Sequence, residues 1–196
     1  MKPLPPAKGG NPLMPDIQAG HPAPVREMVL MRHAQAAPAP FGEMGMQADL
    51  ARPLTAHGRQ TAASCGALLR ARHFAPDLVM VSPAVRTRQT LAAIGSFYGD
   101  RQPDIRYVNA LYDAAPQTIR DLLYEVPYKA SNIMILAHNP GLQALVAHWA
   151  ARHCPPGLEN ALHQGFPPAS MACFTAMRAW NQAGDGDIRL TDLSCQ

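Results

Sequence analysis

Three short unbroken apolar runs punctuate the chain: Met28 to Met31, Leu78 to Val81 and Ile133 to Ala137. Runs of this length without alternation predict strands buried on both faces, as in a parallel sheet. Helical patterns lie between them. Thr55 is a good N-cap for a helix running to about residue 72, in which Gly66 and Ala63 predict close packing on the sheet. Pro83 suits the start of a helix over about 84–98, since its missing donor is no loss there. Further helices are expected over about 116–126, with Ile119, Leu122 and Leu123 on one side, and from Pro140 to about residue 151.

A short strand is expected over 105–108, and two closing strands over 170–180 and 187–193 around the turn Gly184-Asp185-Gly186. Residues 34–51 and 153–168, rich in Pro and Gly breakers, are expected to be irregular. The alternation predicts a three-layer α/β/α fold, with a mostly parallel central sheet, helices on both faces and a hairpin at one edge.

Composition narrows the class. A chain of 196 residues with 47% apolar content suits one domain with a sizeable core. Residues 1–25 hold many prolines and few apolar residues, too few to offset ordering entropy, so a disordered tail is expected before a domain over 26–196. No apolar run approaches the ~20 residues that span a bilayer, and no apolar stretch follows Lys2 as in a secretory signal. A cytoplasmic protein without a membrane partner is expected. The formal charge of +3 is small and scattered, which argues against nucleic acid and is compatible with an anionic substrate. Cys65, Cys154, Cys173 and Cys195 form no Cys-x-x-Cys pair and read as reduced thiols. His148, His153 and Cys154 are better explained by a helix face and the loop after it than by a metal.

Each apolar run ends in polar residues. The first runs into Arg32-His33, the second into Ser82-Pro83 with Arg86 in the next helical turn, and the third into His138-Asn139-Pro140-Gly141. Ligands of open α/β sheets sit beyond the carboxyl ends of the strands. A neutral imidazole is a competent nucleophile at phosphorus, provided its reactive nitrogen is unprotonated; a backbone carbonyl accepting from the other nitrogen secures that state. His33 is therefore the candidate nucleophile. Arg32 and Arg86 offer planar multi-donor recognition of phosphoryl oxygens, and His138, if protonated, a third donor. This set requires no metal or other cofactor.

Arg32-His33-Ala34, Ser82-Pro83 with Arg86, and Ala137-His138-Asn139 together resemble the histidine phosphatase superfamily, with its phosphoglycerate mutase-like fold. Arg52-Pro53-Leu54-Thr55 followed by His57-Gly58 looks like the short phosphohistidine phosphatases of the SixA type, and the resemblance spans about 26–193. It implies the same roles: nucleophile for His33, phosphate pocket for Arg32, Arg86 and His138. Asn139 helps shape the pocket in this pattern. Arg52 either borders the site or is a surface arginine before a helix cap.

Mutases and many phosphomonoesterases of the superfamily carry a Glu soon after the third strand. Here the region is Asn109-Ala110-Leu111-Tyr112-Asp113-Ala114, so Asp113 is either the general acid or a solvent-facing residue. An alkoxide leaving group benefits greatly from a donated proton, whereas an imidazole, with a conjugate-acid pKa of ~6.5, tolerates a missing acid. The 52 positions from Arg86 to His138 leave no room for a lid domain. Both features tilt the expectation toward a phosphatase acting on phosphohistidine in a protein such as a phosphorelay or phosphotransfer domain. The alternatives are a phosphomonoesterase for a small phosphorylated metabolite and, in another class, a non-catalytic phosphate-binding protein.

Overall fold

The three apolar runs become the centre of one six-stranded sheet. The computed structural model describes residues 25–39, 41–95, 97–99 and 102–194. The expected N-terminal tail lies outside them except for exposed Val25. The strands are β1 (Arg26–Arg32), β2 (Leu78–Val81), β3 (Asp104–Tyr107), β4 (Asn132–Ala137), β5 (Met171–Ala176) and β6 (Arg189–Ser194), in the order β3-β2-β4-β1-β5-β6. The first four in that order are parallel; β5 runs antiparallel to β1, and β6 pairs antiparallel with it as the edge hairpin.

Alternation of side chains sends Met28, Leu30, Ile133 and Ile135 to one face, and Val29, Met31, Met134 and Leu136 to the other. The first face is covered by α4 (Pro116–Asp121) and α5 (Gly141–Ala150) through Ile119, Leu142, Leu145 and Trp149. The second is covered by α2 (Ala56–Ala71) and α3 (Val85–Ile94) through Cys65, Leu69, Leu91 and Ile94. The three-layer α/β/α expectation holds.

Local chemistry explains the boundaries. The Thr55 side chain accepts from the Gly58 N–H at 2.9 Å, the expected cap of α2. Helix α3 stops at Ile94, short of 98, because Gly95 takes a positive φ of 70°. After Asp121 the α4 segment tightens to a 3₁₀ turn over Leu122–Glu125, just before Val126-Pro127. Two short helices lie where irregular chain was expected: α1 (Met46–Ala51), which buries only Ala48, and α6 (Glu159–His163), which buries none of its residues. Six or five residues with so little apolar face leave no readable period.

Gly66 packs differently from the expectation. Ala63 is exposed, and Gly66 lies against the end of α3, where an added Cβ would collide with the Ile94 carbonyl oxygen. Gly66→Ala is expected to destabilise the fold by about 2–3 kcal/mol, since a backbone carbonyl cannot rotate away. A lower urea midpoint at unchanged m-value checks this; an unchanged midpoint refutes it.

Candidate active site

The parallel strands carry their terminal residues to one end of the sheet. The His33 N–H donates to the Ala137 carbonyl at 3.1 Å, and the His33 carbonyl accepts from the Ala169 N–H at 3.1 Å. This clamps His33 between the ends of β4 and β5. Ala169 sits at φ 67°, a left-handed conformation uncommon outside glycine, where the chain bends past His33 into β5. His33 and His138 then face each other with ring centroids 5.0 Å apart.

The His33 Nδ1 lies 2.7 Å from the Ala34 carbonyl oxygen. A carbonyl only accepts, so Nδ1 carries the proton and Nε2 keeps its lone pair. Burial is the largest influence on the ring and pushes its pKa down to about 4. The Ala34 carbonyl opposes that push, while the charges of Arg86, Arg32 and Arg52 add to it. The ring is neutral at pH 7.

Arg86 is buried in the first turn of α3 and ties the site together. Its Nε donates to His138 Nδ1 at 3.3 Å, Nη1 to the Asp49 carbonyl at 2.6 Å, and Nη2 to the Asp49 carboxylate at 2.9 Å. The other His138 nitrogen, Nε2, donates to Ser82 Oγ at 2.7 Å. Burial and the Arg86 charge push His138 down to about 3. The conditional expectation of a protonated His138 is thus not met: its ring is neutral, with both nitrogens engaged.

Arg32 Nη1 donates to the Phe166 carbonyl at 2.9 Å, and buried Nε has no protein partner among the described residues. Burial and the nearby Arg86 cation both lower the Arg32 pKa, the mark of an electropositive cleft. Asn139 Nδ2 donates to the same Phe166 carbonyl at 2.9 Å, beside Arg32.

Arg52 borders the site through Asp49. Its Nη1 reaches the Asp49 carboxylate at 2.9 Å and its Nε the Ala37 carbonyl at 2.8 Å. Asp49 also accepts from the Tyr112 hydroxyl at 2.7 Å. Partial burial pushes Asp49 up, but the hydrogen bonds from Tyr112 and Arg52 and the Arg86 charge outweigh it, holding the carboxyl well below the usual range. Asp113 stands apart: it is exposed at φ 48° and makes no hydrogen bond or ion pair with any of these groups. Its neighbour Tyr112 faces the site instead, edge-on to His138 with centroids 5.6 Å apart.

Among the described residues no three His, Cys, Asp or Glu side chains group as metal ligands, and His148 Nε2 pairs with Asp185 at 3.0 Å. No helix among the described residues is long and apolar enough to cross a membrane.

The family model of the histidine phosphatase superfamily (branch 1) matches residues 28–113. The protein of Nakamurella multipartitia assigned as phosphohistidine phosphatase SixA is 30% identical; the match covers 89% of this chain and 98% of that one, with a TM-score of 0.74. The chain belongs to the histidine phosphatase superfamily. Within it, this is a phosphatase of the SixA type with the phosphoglycerate mutase-like fold. An uncharacterized protein of Mycobacterium tuberculosis is 31% identical over 157 residues, 80% of this chain and 93% of its own. A SixA protein histidine phosphatase in complex with tungstate, 20% identical with a TM-score of 0.64, shares the fold.

For this histidine phosphatase, sequence reasoning missed Asp49, Tyr112 and the Phe166 carbonyl. Only Asp49 left a signal, an acidic residue three positions before Arg52.

The two neutral imidazoles set an acid limit on stability. A denatured imidazole binds its proton near its ordinary value of 6.5, whereas the folded ones resist to about 4 and 3. The unfolded chain therefore binds more protons in that window, so stability is full above pH 6.5 and falls as pH drops toward 4. Each imidazole contributes a slope of up to ~1.4 kcal/mol per pH unit. Denaturant titrations from pH 7 to 4.5 check the slope; a His33→Asn, His138→Asn variant losing as much stability as wild type refutes it.

Proposed function

We propose that this phosphatase hydrolyses phosphohistidine in a protein, carrying the phosphoryl group transiently on His33. His33 Nε2 attacks phosphorus in line. The substrate ring, protonated by solvent on its other nitrogen, leaves as neutral imidazole when the P–N bond breaks. Water then attacks phospho-His33, releasing inorganic phosphate and restoring Nε2. Arg32 and Arg86 hold the phosphoryl oxygens as charge shifts among them. His138 keeps Arg86 Nε in place, and Asn139 shares with Arg32 the Phe166 carbonyl that orients it.

The observation that carries the choice of substrate is the lack, among the described residues, of an available proton donor at the site. Asp49 is ionised under three donors, the Tyr112 O–H is given to Asp49 and the His138 Nε2–H to Ser82, and Asp113 is exposed with no tie to the cluster. Such a site suits a weakly basic imidazole leaving group better than an alkoxide. Between α3 and β4 the described chain forms only β3, α4 and short 3₁₀ turns, which supports an open site that a side chain on another protein can enter. The likeness to the Nakamurella protein supports the same substrate class.

Phosphate release with EDTA present tests this, using a histidine-phosphorylated carrier protein and 4-nitrophenyl phosphate in parallel. Faster release from the phosphoprotein, lost in His33→Ala, is expected. Release from the ester alone would establish a metabolite phosphomonoesterase instead, and binding without release a phosphate-binding protein.

A further inference from the structure

Arg86, Arg32 and Arg52 all bear electrostatically on His33. One carboxylate lies among them. Asp49 Oδ1 accepts from Arg52 at 2.9 Å, and Oδ2 from Arg86 at 2.9 Å and Tyr112 at 2.7 Å. The Asp49 side chain is 37% exposed while that of Arg86 is 7%, so the carboxylate stands on the solvent side of the buried guanidinium. His33 is half-buried, so a leaving group in line with its Nε2 extends away from it toward solvent, the side on which Asp49 is exposed.

Three guanidinium cations and one carboxylate leave a net positive charge near in size and opposite in sign to that of a phosphoryl dianion, which carries about −1.5 to −2 at pH 7. A leaving group with its own carboxylate or second phosphate brings further negative charge, and brings it to Asp49. We propose that Asp49 is a specificity-determining residue: its carboxylate, held between Arg52 and Arg86, matches the site to a phosphoryl group on an uncharged leaving group and rejects anionic ones. The inference deepens the phosphohistidine reading, since imidazole is such a leaving group, and rests on that reading for the natural substrate. Its hydrogen bonds keep Asp49 ionised throughout the neutral range, so the discrimination is always present.

The test is a matched pair of aryl phosphates, 4-carbamoylphenyl and 4-carboxyphenyl, alike in shape and different by one charge. Wild type is expected to favour the carbamoyl ester by about fivefold in kcat/KM, the size of one charge contact at about 4 Å in water. Asp49→Asn is expected to bring the two within about twofold and Asp49→Glu to retain the preference. Arg52→Gln, which removes a cation, is expected to widen it, and about 1 M salt to compress it, the Debye length there being ~3 Å. A merely structural role for Asp49 lowers both rates and leaves their ratio alone. Dissociation constants on the His33→Ala background read the same ratio without turnover. An unchanged ratio in Asp49→Asn overturns the proposal. If wild type leaves a phosphohistidine protein untouched, the proposed function falls, while the ester ratio still decides the role of Asp49.

Discussion

His33→Ala is expected to lower turnover of a phosphohistidine protein by about 10⁴-fold or more, as for loss of a covalent nucleophile. No neighbour can replace it. His138 is the nearest imidazole, but Nδ1 is occupied by Arg86 and Nε2 by Ser82. Ser82 Oγ is buried and lacks a base, since the His138 nitrogen it meets carries a proton. The fold should survive, because strand β1 is held by its backbone and the His33 main-chain bonds to Ala137 and Ala169 need no imidazole. Rapid quench with a labelled phosphoprotein gives the direct readout. Wild type should retain label through an acid-labile, base-stable P–N bond, and the variant none. Label persisting in His33→Ala would place the nucleophile elsewhere.

Arg86→Lys is the second large effect, a fall in kcat/KM of about 10²–10³-fold, the usual result of losing one preorganised donor set at a transition-state anion. Lysine keeps the charge and loses the fork. Arg86 simultaneously touches His138, the Asp49 carbonyl and the Asp49 carboxylate, and a single ammonium cannot span all three. Asp49 would remain tied to Arg52 and Tyr112, so the loss should appear in catalysis and in oxyanion inhibition by tungstate more than in stability. Near wild-type kcat/KM in Arg86→Lys would show that charge alone suffices and that the fork is idle.

Much of this molecule was legible in the chain because the deciding physics is local. Unbroken apolar runs at Met28, Leu78 and Ile133 have nowhere to go but a doubly covered sheet, and Thr55 caps its own helix from three residues away. Arg32, His33, Arg86 and His138 stood at strand ends or in the first helical turn beyond one, and a parallel sheet gathers such ends on one edge. What depends on distant approach was not readable. Helix α1 is too short for a period, yet it delivers Asp49 to Arg86, 37 residues away in sequence. The sequence left Asp113 open as general acid or solvent-facing residue; the backbone turns it to solvent at φ 48° and offers Tyr112 to the site instead. The charge state of His138 follows from burial and from the guanidinium beside it, sums over neighbours that only the folded chain assembles. The sequence by itself determined the sheet, its covering helices and the candidate site residues; tertiary contact alone decided their protonation, their orientation and the carboxylate that stands among them.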